Sequence, residues 1–461
     1  MRRAAIAPAI VVLALVAVAC PKSSTTSTGA LSSSAGSPSS AGSPSSAASP
    51  SSSVDVGAIP RVEPGGAPTA AAAMKKLCIA PTIEKSPPVK VTPPPPAIAQ
   101  VEAEVQQVRG LDYLHPVAVQ EVSNQEMDRK LAAAFDDTYP VNYYARRTIA
   151  WRTIGVIPLG ADLRTALHTF ETGQVVGFYD PDSKRLVFLG SGRGDLSVDE
   201  RLTLAHELTH ALDDQHFDLR RLDAIAAACK DEDFEAALGA IEGNAQYTAA
   251  EVLVRSPGGF DLGDVIASLL NLGSREVPGV PPFLTAIELW PYSAGLAFVQ
   301  SVATQGGEQA VDHLLRDLPT STEQVIHPAL YPSDTPVPVD VPDLTRALGA
   351  GWGDLDAMQV GEEWLTAMLS LRLDDATAAS AASGWDGGVY RAFTNGKQVG
   401  VVLATAWDSE ADAAEFAGAA GDWVSRGSTP ARVHQDGVHV TIAFATDAAT
   451  LDRLSNALRS A

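Results

Sequence analysis

Residues 205–210 read Ala-His-Glu-Leu-Thr-His, and no other stretch limits so tightly what this chain can fold into. The stretch sits on a predicted helix. Ser197 and Glu200 make a capping-box pattern just before it, and Leu202, Ala205, Thr209 and Leu212 recur at helical spacing as one buried face. His206 and His210 are four residues apart, hence one turn apart on one face. At that spacing two ring nitrogens can reach one zinc ion at about 2.0–2.1 Å. Glu207 projects beside them, where it can take a proton from metal-bound water. The flanking Thr203, Leu204, Ala205, Ala211 and Leu212 are uncharged. The rest of the chain must then supply a third ligand, a compartment and a scaffold.

The N-terminus speaks for the compartment. Arg2 and Arg3 precede an apolar run from Ala4 to Ala19, shorter than the roughly 20 residues of a bilayer span. That is the pattern of a secretory signal. Ala17-Val18-Ala19-Cys20 resembles a bacterial lipobox, with Ala where Leu is usual at the first position. The resemblance implies a signal peptide over 1–20 and a lipid on Cys20; a plain signal peptide is the other reading. Residues 21–96 are rich in Ser, Pro and Gly, with AGSPSSAGSPSS at 35–46 and PPPP at 93–96. Such sequence buries too little apolar area to offset chain entropy, so a disordered tether is expected. In an oxidising compartment Cys78 and Cys229 can pair, although two cysteines alone do not decide it.

Beyond the tether the patterns alternate between helix and strand. Ile98, Val101, Val105 and Val108 follow helical spacing from about Ala97, Val117 and Val119 alternate as in a strand, and Ser123 with Glu126 caps another helix. Val175–Tyr179 and Arg185–Leu189, joined by Asp180-Pro181-Asp182-Ser183, read as a hairpin leading into the HELTH helix. A long helix is expected over about Asp231–Val254, loop over 256–282, two helices over 291–315 and an ordered loop over 321–332. Pro-rich sequence at 332–342 suggests a boundary. After it, 343–461 begins helical and turns into a small α+β sandwich, whose best strands are Val401–Thr405 and Val438–Phe444. The 461 residues carry 55 acidic against 33 basic groups, a net charge of −22, and no basic cluster. That balance excludes an electrostatic nucleic-acid surface.

The HELTH stretch followed by Ala240-Ile241-Glu242-Gly243-Asn244-Ala245 resembles the zinc metallopeptidases of the gluzincin type over roughly 173–335. The resemblance implies one catalytic zinc held by His206, His210 and Glu242. Glu207 is then the general base that helps zinc-bound water attack a peptide bond, and His327 is a candidate transition-state donor. In some such enzymes an Asp four residues after the ligand glutamate orients a zinc histidine; here that position is Gln246. His216, six residues after His210, has the metzincin spacing. On a continuing helix, however, it points about 240° away from His210, and the reading favours Glu242. The expected fold class is α+β, with a gluzincin-like domain over 97–335 and a small α+β domain over 343–461. The expected protein is an extracytoplasmic peptidase acting on peptide or protein substrates, tethered to the membrane by lipid and binding no nucleic acid. A non-catalytic zinc-containing lipoprotein of the cell envelope is the alternative.

Overall fold

The computed structural model describes residues 12–14, 53–79, 93–138, 141–172, 177–189, 196–255 and 277–459. Cys20 and the Ser/Pro-rich repeats at 35–46 lie outside the described residues. The architecture is mixed α+β, built from a helical lobe with a small sheet and a lobe organised on a larger one. Among the described residues no helix is long and apolar enough to cross a membrane.

The helical lobe follows much of the sequence pattern. Helix α2 (Pro96–Arg109) ends at Gly110, whose φ of 65° suits a residue without Cβ. Strand β2 (Ala118–Val122) and helix α3 (Asn124–Thr138) follow. After α4 (Val141–Ile154) and α5 (Leu163–Thr172) comes the hairpin of β3 (Gly177–Asp180) and β4 (Arg185–Leu189). Strand β4 pairs in parallel with β2, and β3 pairs antiparallel with a three-residue strand, β1 (Val12–Ala14). Helix α6 (Val198–Phe217) starts at the expected capping box: Ser197 Oγ accepts from Glu200 N, and Glu200 Oε2 accepts from Ser197 N. Its Leu202, Leu204, Leu208 and Leu212 pack against Ile98, Val101 and Val105 of α2. Helices α7 (Arg221–Ala227) and α8 (Asp231–Arg255) follow. Helix α9 (Pro282–Arg316) is two helices meeting at Gly307, whose φ is 63°, and the short α10 (Thr322–Ile326) stands where an ordered loop was expected.

The second lobe is a five-stranded antiparallel sheet, in the order β5 (Gly353–Gln359), β6 (Trp385–Thr394), β7 (Val399–Trp407), β9 (His439–Ala445), β8 (Ala431–Asp436). Every residue of the central strand β7 is buried, because helices cover both faces. Val401 and Leu403 face α4 with α12 (Glu362–Ser370), α13 (Asp375–Ala382) and α14 (Glu410–Ser425). Val402 and Ala404 face α1 (Ala70–Leu77), α11 (Thr345–Leu348) and α15 (Ala448–Leu458).

Two expectations about boundaries are corrected. The segment 21–96 is not a tether throughout, because residues 53–79 are folded. Gly65 bridges to Gly353, Ala70 and Ala73 are buried, and Cys78 is disulfide-bonded to Cys229 with Cα atoms 5.9 Å apart. The sequence hides this because the segment has few large apolar residues of its own and borrows its core from the sheet. The expected domains 97–335 and 343–461 also do not have separate cores. Ile149, Trp151, Ile154, Phe283 and Leu284 join Trp364, Tyr390 and Phe444 in one cluster.

Candidate metal centre

Two helices bring the polar groups of the HELTH stretch to Glu242. His206, Glu207, His210 and Glu242 are all fully buried. His206 Nε2 lies 3.1 Å from Glu242 Oε2 and 2.9 Å from His210 Nε2, and His210 Nε2 lies 3.5 Å from the same carboxylate oxygen. Among the described residues this is the group whose ligand atoms crowd within 4.8 Å of one another, and it could hold a metal ion. Burial and the neighbouring His210 hold the His206 imidazole below its ordinary pKa. For Glu242 burial pushes upward, but His210 and His206 outweigh it and hold the carboxyl low. A neutral imidazole and an ionised carboxylate are the forms that bind a metal.

The spacing between the helices is built in. A Cβ on Gly243 would stand 2.1 Å from the Gly295 carbonyl oxygen, and one on Gly295 would stand 2.0 Å from the Gly239 carbonyl oxygen. Helices α8 and α9 therefore touch backbone to backbone beside Glu242. Below the cluster, Asn244 Nδ2 donates to Asp213 Oδ2 at 2.6 Å, and Arg109 Nη2 stands 3.6 Å from Asp213. Arg109 also pairs with Glu308 and, at 2.9 Å, with Asp312. These charges tie α2, α6, α8 and α9 together one turn from His210. Tyr113 supports the same helix, its hydroxyl donating to the Leu208 carbonyl at 2.8 Å.

Glu207 faces the small sheet: the Tyr179 backbone N–H donates to its Oε2 at 2.5 Å. It lines a narrow pocket with Gly177, Phe188, Leu189, Leu196 and Thr203. Gln246 is buried, one turn beyond Glu242, and reaches the His206 side chain. The remaining candidates lie elsewhere. His216 is near the end of α6, and its Nε2 stands 2.8 Å from the Asp112 carbonyl. His327 caps α10, with Nε2 3.0 Å from Glu362 Oε1, and among the described residues it makes no hydrogen bond to the cluster. Sequence reasoning passed over Tyr292, whose ring stacks on His206 at 6.1 Å. The available signal was its place in the Pro291-Tyr292-Ser293-Ala294-Gly295 run, three residues before the glycine that α8 contacts.

A family model described as a domain of unknown function, DUF8575, matches residues 346–455. That span covers most of the second lobe and none of the metal-centre residues. No curated protein and no solved structure matches the chain.

Proposed function

We propose that this chain is an extracytoplasmic, lipid-anchored peptidase of the gluzincin type, with His206, His210 and Glu242 holding one zinc ion. The observation that carries the reading is the convergence of two imidazole nitrogens and one carboxylate oxygen beside the buried Glu207. Ligands at tetrahedral positions around zinc stand about 3.4 Å apart, and the three separations here are 2.9, 3.1 and 3.5 Å. Three protein ligands are the set of a catalytic rather than a structural site, which takes four. A zinc ion held by these three residues would supply a water of pKa about 7 and polarisation of a carbonyl.

The chain's own groups supply the rest. Glu207, held by the Tyr179 N–H, takes the proton from the attacking water and delivers it to the leaving amine. We assign the donor to the developing oxyanion to Tyr292 in preference to His327, because Tyr292 lies against His206 while His327, among the described residues, makes no hydrogen bond to the cluster. The β3 backbone beside Glu207 suits an extended peptide. Its partner β1 belongs to the segment that signal cleavage removes, and the antiparallel pairing of Val12–Ala14 with Gly177–Tyr179 is one that a peptide can take over.

Metal analysis and cleavage of an unstructured peptide by the purified protein test this reading. One zinc per chain is expected in both the wild type and Glu207→Gln, with turnover in the variant lower by about 10²–10⁴. Wild-type turnover by Glu207→Gln would remove that residue from the mechanism. Cys20→Ala tests the anchor: the protein should leave the membrane fraction or stay unprocessed, and mature protein that stays bound without lipid would sink the assignment.

A further inference from the structure

The helices of the metal centre carry a second set of acids. Glu235 precedes Glu242 by seven residues on α8, which places both on one face about 10 Å apart. Glu288 precedes Tyr292 by four residues on α9, one turn back along the face that reaches His206. Glu363 comes from the first turn of α12 in the other lobe and is 4% exposed. Glu235 and Glu288 are partly exposed.

Neighbouring acids have partners. Glu232 Oε1 accepts from the Thr322 backbone N–H at 2.5 Å and from its hydroxyl at 2.8 Å, Glu362 pairs with His327, and Asp231 pairs with Arg147. Glu235, Glu288 and Glu363 do not: none of the three carboxylates takes a hydrogen bond or an ion pair from a described residue, and Glu235 Oε2 is buried without a partner. Glu235 faces Glu363, Glu288, Glu232 and Asp231, while Glu363 faces Glu232 and Glu288. Burial raises the Glu288 carboxyl to about 7. Burial and then mutual repulsion hold those of Glu235 and Glu363 well above the usual range. Three helices from both lobes thus converge on a group of acids for which the described residues offer no counter-ion, and the cost of crowding such groups is tolerated where a ligand repays it.

The three acids are not a second metal centre, because they do not bring three ligand atoms within 4.8 Å as His206, His210 and Glu242 do. A wider acidic socket suits a cation with several N–H donors, three on an ammonium or five on a guanidinium. From the metal centre, one or two extended residues and a four-carbon stem span about 10 Å. We propose that Glu235, Glu288 and Glu363 form a subsite for the positively charged side chain of a lysine or arginine in the substrate. The word substrate rests on the peptidase reading; the binding of the cation does not.

The test uses the purified protein at pH 8 and three probes: Nα-acetyl-lysine amide, the uncharged Nα-acetyl-norleucine amide, and alanine amide, whose charge is an α-amine. Binding is followed by calorimetry and by thermal shift. The lysine probe should bind at least tenfold more tightly than the other two. Glu235→Gln, Glu288→Gln and Glu363→Gln should each weaken it by about tenfold or more, as expected for losing a charged hydrogen-bond partner. Glutamine keeps the shape and removes repulsion, so the unliganded variants should melt at or above the wild-type temperature. Wild-type affinity should fall from pH 8 to pH 6 as the carboxylates take up protons. Equal binding of the lysine and norleucine probes, or unchanged lysine affinity in all three variants, overturns the proposal. Tightest binding of alanine amide overturns the side-chain assignment in favour of an amino terminus. Lysine binding without any peptide cleavage fails the peptidase reading alone, and cleavage indifferent to lysine and arginine fails the subsite alone.

Discussion

His216 and Glu242 compete in the sequence for one role, and helix geometry separates them. Helix α6 runs on to Phe217, so His216 is carried round to the Asp112 carbonyl while Glu242 faces both histidines. Glu242→Ala should reduce bound zinc well below one per chain, whereas His216→Ala should leave it near one; elemental analysis of both variants reads this directly, and the opposite pattern would exclude Glu242 as a ligand. Tyr292 and His327 divide in the same way. Tyr292→Phe should lower kcat by about 10²-fold with little change in KM, as loss of an oxyanion donor does. His327→Ala should leave kcat near wild type and cost stability, because it strands the buried Glu362 carboxylate. Glu362 raises the His327 pKa. The stabilisation is therefore full below the unfolded value near 6.5 and is lost as pH rises through the folded one. Melting curves at pH 6 and pH 8.5 should show the larger loss at pH 6, and a fall in kcat without a stability change would return the donor role to His327.

At the scale of elements, the contact of α8 with α9 sets where Glu242 stands. Gly243 and Gly295 meet through their backbones, and a methyl on Gly243 has no flexible neighbour to displace. Gly243→Ala should destabilise the protein by about 1–3 kcal/mol or more and weaken zinc binding, since Glu242 is the adjacent residue. Gly418→Ala is the matching control. That position lies on α14, with nothing within 4 Å of an added Cβ, and the change should be neutral or stabilising by up to about 1 kcal/mol. Chemical denaturation of both variants separates a general intolerance of alanine from a specific close approach, and a neutral Gly243→Ala would discard the close-packing account.

Across the whole molecule, the segment 53–79 acts as a strap. It packs on the second lobe through α1 and is fastened to the helical lobe by the Cys78–Cys229 bridge, which spans 151 residues. Closing so long a loop removes freedom mainly from the unfolded chain, a contribution of about 2–5 kcal/mol. Cys229→Ser, or the wild type under reductant, should be less stable by that amount and melt at a lower temperature, with the metal centre still able to load zinc. Identical melting of the oxidised and reduced protein would show that the strap is held by packing alone.

What the sequence determined by itself is local. The spacing of His206, Glu207 and His210, the Ser197 capping box, the apolar stripe of α2 and the turn between β3 and β4 each depend on residues within a few positions of one another. Their physics operates before any distant contact forms. Tertiary structure decided what depends on distant partners. Helix α4 was missed because Arg147 interrupts its pattern, yet Arg147 is buried against Asp231 at 2.9 Å and Asp356 at 3.4 Å. Strand β5 was missed for the same reason: its buried Asp354 and Asp356 find Arg391 and Tyr390 on the neighbouring strand. Tyr292 and the acids Glu235, Glu288 and Glu363 are unremarkable along the chain and meet only because three helices from two lobes converge. A charged residue reads as surface until its partner is known, and here those partners stand tens to hundreds of residues away, brought together by the packing of the whole chain.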